Sequence, residues 1–359
     1  MVPVIRAVTS RKFFHHTLAV TAQHRELMDQ VLGLFSIEPD FDLDIMEEGQ
    51  ELDEIMTRTL ARLGGIIRKL RPDCILVQGD TTTALTGALA GFYNRVPVGH
   101  VEAGLRTSDR FLPYPEEVNR RLTDQLSSFH FCPTEGARQN LLAEDLPDEN
   151  ILVTGNTVVD AVNLVAEMPA ALPAEVEEFC NNLREYLLVT IHRRENWGEP
   201  LARISSALAS FAREHSEVGL LIALHPNPIL RKRLAPALGG LANVLMSPAP
   251  GYREFVHLMK DAAFIVTDSG GIQEEACALA KFALVLRPET ERPEAVEAGF
   301  ARVIGTDTER VESEVSLTLE QVRARHLPPP TADNPFGDGR AAQRITEFLA
   351  RRLHAVGSE

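Results

Sequence analysis

The sequence predicts an α/β protein built from doubly wound parallel sheets. Short β-rich runs alternate with helical stretches, polar and glycine-containing segments follow the ends of those runs, and a proline-containing segment lies between two similar halves. This alternation is typical of βα units in a parallel sheet. Because 359 residues exceed what one hydrophobic core usually supports, we expect two such domains.

The first half begins with a helix-like pattern, MVPVIRAV, and not with a strand. Its first strand-like run, HTLAVTAQH, covers residues 16–24. The later runs are CILVQ (74–78), VPVGHV (96–101), FHFCPT (129–134) and NILVTG (150–155). A sheet domain that begins on a helix has no strand before that helix. The pattern therefore raises the question whether a first strand of this domain is missing.

The second half follows a linker candidate, MPAALPAEVEE, at residues 168–178. Its strand-like runs are YLLVTI (186–191), GLLIAL (219–224), VLMSP (244–248), AAFIVTD (262–268) and FALVLR (282–287). An irregular segment at 327–339 precedes a final amphipathic helix, AAQRITEFLARRLHA. The second half therefore contains several further βα units.

Composition excludes several classes of protein. The net charge of −15 argues against a broad nucleic-acid surface, because phosphate backbones are bound by excess Lys and Arg. No apolar run approaches the roughly 20 residues needed to cross a bilayer. The cysteines show neither C-x-x-C spacing nor partner histidines, so we expect no disulfide framework, no metal site and a cytoplasmic protein; they are Cys74, Cys132, Cys180 and Cys277.

Polar residues follow the predicted strands, where ligands bind in open parallel sheets. In TDSGGIQEEA, the turn Ser269, Gly270 and Gly271 precedes a helix and allows a phosphate to approach bare N–H groups. A simple glycine turn explains the same residues. No complete G-x-G-x-x-G or G-x-x-x-x-G-K-[ST] occurs, which disfavours a nicotinamide cofactor and a P-loop ATPase.

Cationic side chains follow the strand YLLVTI, in the segment IHRREN. His192, Arg193 and Arg194 lie at this ligand-side position, and we expect one of the two arginines to pair with Glu195. Histidine changes its charge near neutral pH, which suits a partner for a phosphate leaving group.

Carboxylates collect at the corresponding positions of the first half. Glu102 ends the strand VPVGHVE, where a buried carboxylate can take or give a proton. The residues around Asp80, taken alone, favour a helix N-cap. For Glu116 and Glu117, first-turn residues that stabilise the helix dipole are an equally good interpretation. Together they suggest acid/base chemistry on a phosphate-bearing sugar or acyl group.

The chain resembles the non-hydrolysing UDP-N-acetylglucosamine 2-epimerase family from residue 1 to about residue 350. The resemblance is carried by QGDTTT, GHVEAGLRT, YPEEVNRRLTD, VTGNTVVDA, VTIHRREN, TDSGGIQEEA, ERPEAVEAG and NPFGDG, in family order. It implies the GT-B-like architecture, two Rossmann-like domains with the active site in the cleft between them. The implied division is a first domain at 1–165, a UDP-binding domain at 166–339, and a final helix at 340–359 that packs back on the first domain.

The resemblance also implies an activity and a set of residues. Such enzymes interconvert UDP-N-acetylglucosamine and UDP-N-acetylmannosamine without a metal or a nicotinamide cofactor, by eliminating UDP to 2-acetamidoglucal and adding it back. Family precedent suggests a homodimer. By matching motifs, Asp80, Glu102 and Glu116 are the acid/base candidates and His192 supports the leaving diphosphate. The implied substrate-binding residues are Phe255 near uracil, Ser269, Gly270 and Gly271 at the diphosphate, Glu275 at the ribose and Arg292 at the nucleotide.

A second, activating substrate site occurs in bacterial family members. Gln23, His24 and Gln50 match positions implicated there, whereas Glu26 and Gly49 replace the Gln and Arg that related sequences tend to carry. The resemblance therefore implies an allosteric role for Gln23, His24 and Gln50, while Glu26 and Gly49 depart from the family pattern.

Family members usually begin with a short strand and a glycine turn carrying an Arg and a Lys, followed by the helix that MVPVIRAV matches. The resemblance thus places the missing strand upstream of Met1, with a natural chain about 15–25 residues longer. On this hypothesis residues 1–359 have weak or no activity. Three alternatives stay open: a hydrolysing epimerase that releases N-acetylmannosamine and UDP, a GT-B glycosyltransferase, and an inactive UDP-sugar binder.

Overall fold

The chain folds into two units of parallel β-sheet with packed helices. The computed structural model describes residues 1–22, 25–47, 49–107, 109–111, 113–225, 227–328 and 333–356. The first unit consists of Met1–Ala161 together with Gly337–Glu359, and the second of Val162–Phe336. The first unit is therefore discontinuous in sequence.

The strands of the described residues pair only in parallel. Their bounds are β1 (Ala19–Val20), β2 (Phe41–Asp42), β3 (Ile75–Gln78), β4 (Val98–Val101), β5 (Phe129–Cys132), β6 (Ile151–Val153), β7 (Glu185–Ile191), β8 (Val218–Leu224), β9 (Val244–Pro248), β10 (Ile265–Thr267), β11 (Ala283–Val285) and β12 (Ala301–Val303). The strand predicted at 16–24 is much shorter, and β2 and β12 were not predicted. The parallel α/β class is confirmed.

The helices lie between successive strands, except that the first precedes β1 and the last two follow β12. Their bounds are α1 (Val2–Thr9), α2 (Arg25–Phe35), α3 (Leu52–Leu70), α4 (Thr82–Tyr93), α5 (Glu116–Leu126), α6 (Glu135–Ala143), α7 (Thr157–Ala166), α8 (Ala174–Asn181), α9 (Glu199–Glu214), α10 (Pro228–Leu238), α11 (Tyr252–Asp261), α12 (Gly270–Ala278), α13 (Pro293–Glu297), α14 (Thr308–Arg323) and α15 (Ala341–Val356). The helix predicted at the start of the chain is confirmed as α1. None of the helices in the described ranges has the length and apolar character that a membrane span requires.

The first unit contains two sheets, β1-β2 and β3-β4-β5-β6. Helices α1 and α15 share one hydrophobic cluster with the larger sheet, in which Val4 and Val8 pack with Phe348. The start of α15 is fixed by Asp160, whose carboxylate accepts from the backbone N–H groups of Ala341 at 3.2 Å and Ala342 at 3.0 Å. The last helix is therefore an integral part of the first unit.

The second unit is built around one six-stranded sheet, in the order β12-β11-β10-β7-β8-β9. Strand β8 is buried along its whole length and β7 at all but its first residue, which explains their continuous apolar sequences. Helices α9 and α14 contribute Leu201, Ile204, Leu208, Val311 and Val315 to this core. This rigid sheet holds the loops that follow β7 and β10.

Candidate active site

Two carboxylates follow neighbouring strands of the first unit. Strands β3 and β4 pair in register, with Gln78 opposite Val101, so the turn at Gly79–Asp80 lies beside Glu102. A Cβ built on Gly79 would lie 3.7 Å from Glu102 Oε2. The structure therefore brings Glu102 against the turn that carries Asp80, as the sequence predicts for neighbouring strand ends.

Glu102 has a strained backbone. Its φ of +68° lies in the left-handed region, which costs a non-glycine residue on the order of 1–2 kcal/mol. The N–H groups of Glu102 and Ala103 both donate to the carbonyl of Phe131, at 3.0 and 3.1 Å, and hold this conformation. The amides of Gln78 and Asn156 lie 3.5 Å from the two carboxylate oxygens. Such a strained, polar-surrounded carboxylate fits a functional residue.

Asp80 is held by helix α5. Its Oδ2 accepts from Arg120 Nη2 at 2.5 Å, and its carbonyl accepts from Asn119 Nδ2 at 3.0 Å. The N-cap of α4 is Thr81, whose hydroxyl accepts from the N–H of Ala84 at 3.2 Å. The N-cap interpretation of Asp80 is therefore wrong, because the next residue performs that role.

Glu116 and Glu117 begin α5, yet their environments differ. The Glu117 side chain is fully buried and accepts from Arg120 at 2.8 Å, Arg121 at 2.7 Å and the N–H of Thr107 at 3.1 Å. Glu116 is partly exposed, and within the described part of the chain no ion pair or side-chain hydrogen bond holds it. Glu117 is therefore an architectural residue, and Glu116 is the one available for chemistry.

A buried ion cluster lies behind the carboxylates. Asp124 Oδ1 is 2.6 Å from His100 Nδ1, and both side chains are fully buried. Arg106 Nη1 lies 2.8 Å from Asp124 Oδ2. Burial raises the pKa of Asp124, but His100 and Arg106 outweigh it and hold that pKa below its ordinary value. Sequence reasoning did not select Asp124, because an acid in RRLTDQL looks like any helix-surface residue.

His192 follows β7 in the second unit and is joined to the end of β10. The fully buried Asp268 accepts from the N–H groups of His192 at 3.1 Å and Arg193 at 3.0 Å. His192 Nδ1 lies 3.1 Å from Asp268 Oδ1, and the His192 side chain is 39 % exposed. Burial raises the pKa of Asp268, yet bonds from His192 and Asn196 bring it below its ordinary value. Asp268 therefore orients a histidine that solvent can reach.

The glycine turn is the N-terminus of helix α12. Ser269 is its N-cap, with the side-chain oxygen accepting from the N–H of Ile272. A Cβ at Gly271 would meet nothing within 4 Å, and one at Gly270 would lie 3.7 Å from Arg193 Nη2. Open space and a guanidinium group therefore face the positive end of a helix, an arrangement that suits an anion.

Further along the second unit lie the residues assigned to the nucleotide. Glu275 Oε1 accepts from the hydroxyl of Tyr252 at 3.0 Å, and burial raises the pKa of Glu275 to about 7. Arg292 donates through Nε to Glu274, and Phe255 is half-buried on α11. Tyr252 was not selected from the sequence; its position at the start of α11, three residues before Phe255, is the only local signal.

Two arginine pairings were open in the sequence. Glu195 accepts from Arg287 Nε at 2.8 Å, a residue 92 positions away. Arg193 Nη1 lies 3.6 Å from Glu291 Oε1. Arg193 therefore pairs with the segment after β11. The Arg194 side chain lies outside the described residues, so the pairing of one of the two arginines with Glu195 stays a prediction.

The remaining selected residues belong to the allosteric set. Gln23 and His24 lie outside the described residues. Gln50 is half-buried, and its side-chain oxygen accepts from the N–H of Glu47 at 3.0 Å. Among the described residues, no group of three or more His, Cys, Asp or Glu side chains is placed to hold a metal ion.

Both units are built on parallel sheets. The strand ends of the first unit carry carboxylates, and those of the second carry a histidine, arginines and a glycine-rich helix N-terminus. These features define a nucleotide-sugar enzyme of the GT-B-like α/β class. The model of the UDP-N-acetylglucosamine 2-epimerase family matches residues 6–350. The chain belongs to that family, as the motifs predicted.

Similar proteins agree with this assignment. A UDP-N-acetylglucosamine 2-epimerase of Yersinia pestis is 47 % identical over 355 residues, covering 97 % of this chain and 94 % of the relative. The UDP-GlcNAc 2-epimerase of Neisseria meningitidis, solved bound to UDP-GlcNAc, is 40 % identical with a TM-score of 0.87 and covers 98 % and 96 % of the two chains. The Methanocaldococcus jannaschii enzyme, solved with UDP-GlcNAc and UDP, is 33 % identical with a TM-score of 0.80 over 98 % and 95 %.

Proposed function

We propose that this chain is an isomerase that interconverts UDP-N-acetylglucosamine and UDP-N-acetylmannosamine. The observation that carries the proposal is the placement of Asp80 and Glu102 after adjacent, in-register strands, with Glu102 strained and lying against the Asp80 turn. Epimerisation at a carbon needs proton carriers on opposite faces, and a set of carboxylates can supply them.

The reaction has two halves. No carbonyl lies beside the sugar's second carbon, so its hydrogen is a weak acid and leaves only as UDP departs. A carboxylate takes the proton, the C–H electron pair forms the double bond between the first and second carbons, and the C–O electron pair leaves with UDP in an anti elimination. UDP then adds back in a syn sense while the second carbon receives a proton on the other face, so only that centre is inverted.

Asp80, Glu102 and Glu116 are the proton carriers in this proposal. Arg120 Nη2 lies 2.5 Å from Asp80 Oδ2 and fixes that carboxylate by a charge-assisted hydrogen bond. Glu116 carries no such partner among the described residues. Asp80 and Glu116 therefore differ in their charged neighbours, which suits one proton acceptor and one proton donor.

In this proposal, residues of the second unit stabilise the leaving diphosphate. Asp268 fixes the ring of His192 through Nδ1, and Arg193 lies near the N-terminus of α12. Positive groups held in place before the reaction stabilise charge that develops on a departing oxygen. Ser269, Gly270 and Gly271 offer the diphosphate backbone N–H groups, and Glu275, Arg292 and Phe255 are assigned to the nucleoside.

We further infer a cytoplasmic homodimer with Gln23, His24 and Gln50 as candidates for a second substrate site. Free thiols at all four cysteines agree with a reducing compartment. Phe92 and Tyr93 are 57 % and 65 % exposed at the end of α4 and offer apolar surface to a second copy. Light scattering tests the dimer, and a sigmoidal rate curve abolished by Gln50→Ala tests the second site.

The primary test is a proton NMR time course with UDP-N-acetylglucosamine in heavy water. On the proposed function, UDP-N-acetylmannosamine appears with deuterium at the second carbon, and Glu102→Gln shows no exchange. This product would contradict the hypothesis that residues 1–359 have weak or no activity. Free N-acetylmannosamine together with UDP would instead identify a hydrolysing enzyme. Binding of UDP-N-acetylglucosamine without any product would identify an inactive binder.

A further inference from the structure

His100 is a buried residue of β4 that the mechanism above does not use. Its Nδ1 lies 2.6 Å from Asp124 Oδ1, and its Nε2 lies 2.9 Å from the carbonyl oxygen of Gly79. The side chains of His100 and Asp124 are both fully buried. The ring thus bridges helix α5 and the turn that leads into Asp80.

Both ring nitrogens face groups that accept hydrogen bonds. The Gly79 carbonyl has no proton to donate, so Nε2 must carry one. Asp124 Oδ2 is 2.8 Å from Arg106 and accepts from the N–H of Gly104 at 3.4 Å, contacts that favour an ionised carboxylate. An ionised carboxylate only accepts, so Nδ1 must carry a proton as well.

The charges around His100 also indicate that both ring nitrogens carry a proton. A continuous chain of contacts joins Asp124, Arg106, Glu144, Arg121, Glu117, Arg120 and Asp80. Four carboxylates therefore meet three guanidinium groups. A proton on each ring nitrogen of His100 supplies the fourth positive charge and makes the network neutral. Balance matters most at its fully buried end, His100 and Asp124, because Arg121, Glu144 and Asp80 are partly exposed.

The neighbouring strand adds one more titratable group. His130 of β5 is buried, and its Nε2 lies 2.8 Å from the carbonyl of Asp124. Burial lowers the pKa of His130, so this ring is neutral and does not compete for the fourth positive charge. The groups that face His100 are thus Asp124 from α5, Arg106 from the loop after β4, and neutral His130.

We propose that His100 is a buried imidazolium that positions Asp80 for proton transfer. It holds the Gly79 carbonyl, while Arg120 holds the Asp80 carboxylate and Asn119 holds the Asp80 carbonyl. The turn is therefore fixed on each side of the Asp80 side chain. This inference rests on the proposed role of Asp80, whereas the protonation state of His100 does not depend on any activity.

The protonation state is tested first, by NMR of the full chain labelled with ¹⁵N at histidine. At pH 7.5 we expect two proton-bearing ring nitrogens for His100, assigned by their loss in His100→Asn. A single proton-bearing nitrogen would overturn the imidazolium. If the variant fails to fold, the wild-type protein suffices, because contacts of the ring to Val77, the residue opposite His100 in β3, assign it.

Positioning is tested by kinetics and by the Asp80 titration. We expect His100→Asn to lower kcat by about 10- to 100-fold with KM within about threefold, since small misplacement of a reacting group has effects of this size. The control His130→Asn, equally buried in β5, should lose stability but keep kcat. Wild-type kcat in His100→Asn would overturn positioning.

The proposal can be separated from the proposed function. If residues 1–359 show no turnover, the proposed activity fails for this chain, but the ¹³C carboxyl resonance of Asp80 still reports its surroundings. We expect its titration to shift between wild type and His100→Asn and to be unchanged in His130→Asn. An Asp80 titration that is the same in all three proteins would overturn the positioning role.

Discussion

Each unit pairs a histidine with a fully buried aspartate at the end of its sheet, but the two pairs differ in what reaches the ring. His100 is sealed against Asp124 at 2.6 Å with neither side chain exposed. His192 contacts Asp268 at 3.1 Å and is 39 % exposed. In the first pair both nitrogens are engaged, whereas in the second no hydrogen bond from a described residue reaches Nε2. The same two residue types therefore build architecture in one unit and leave a nitrogen available for chemistry in the other.

The pKa values of Asp124 and Asp268 are shifted in the same direction, and the charged partners of the two aspartates explain the shift. Both have a pKa below the ordinary value although burial alone would raise it. Glu275 is the contrasting case. Its hydrogen-bond partner among the described residues is a tyrosine hydroxyl, and burial together with the nearby Glu274 raises its pKa to about 7. A nearby cation therefore decides whether a buried carboxylate of this chain stays ionised at neutral pH.

The largest expected effect is the loss of kcat on substitution of His192, the exposed histidine of the two pairs. His192→Asn should lower kcat by about 10²- to 10⁴-fold, because it removes a group proposed to stabilise the leaving diphosphate. Its exposed side chain should make the change in Tm small. Coupled assays and calorimetry measure both, with His326→Asn as an exposed control. A lowered Tm with unchanged kcat would contradict the comparison.

The next effect concerns stability. Asp124→Asn should destabilise the protein by about 3–5 kcal/mol, because it leaves His100 and Arg106 buried without their anion. Urea unfolding measures the loss. The matched control is Asp148→Asn, an exposed carboxylate paired with Arg138, which should cost at most about 1 kcal/mol. Equal losses in the two variants would mean that the buried cluster has no special role.

A pH-dependent effect follows from Glu275. Its folded pKa is above the ordinary value of 4.5, so the folded state binds the proton more tightly and loses stability as pH rises from about 4.5 to about 7. Glu275→Gln should therefore gain about 1–3 kcal/mol at pH 8 and much less at pH 5. Unfolding at both pH values tests this, with exposed Glu297→Gln as control. The same change at both pH values would refute the raised pKa.

The smallest effect is expected from Tyr252→Phe. Loss of its bond to Glu275 should weaken UDP binding by about three- to tenfold, the usual contribution of one hydrogen bond. Isothermal titration calorimetry with UDP measures the affinity. Tyr93→Phe, which changes an exposed tyrosine, should leave it unaltered. Unchanged affinity in Tyr252→Phe would show that Glu275 needs no such support.

The sequence predicted the fold well where strands are long and buried. Strands β7 and β8 carry continuous apolar runs, which only a two-sided parallel sheet explains. Strands β2 and β12 span two and three residues, too few to establish a period. Their pairing is set by neighbouring strands and not by their own composition.

The positions of candidate site residues were predictable only where they follow strands directly. Asp80, Glu102 and His192 do so, and placing them at strand ends needed no tertiary contact. Asp124 contacts the ring of His100, 24 positions away, and no residue spacing in RRLTDQL predicts that contact. Glu116 and Glu117 could not be told apart either, because adjacent helix positions differ by about 100° and only packing decides which one is buried.

The return of α15 to the first unit has a consequence for biosynthesis. Helix α1 is synthesised first, whereas α15, which packs on it, is synthesised last, on the order of 20–60 s later at usual elongation rates. The second unit is continuous in sequence and can fold during that interval. The nascent first unit must wait with Val4, Val8 and its sheet uncovered, so chaperone binding to the unfinished chain should concentrate there.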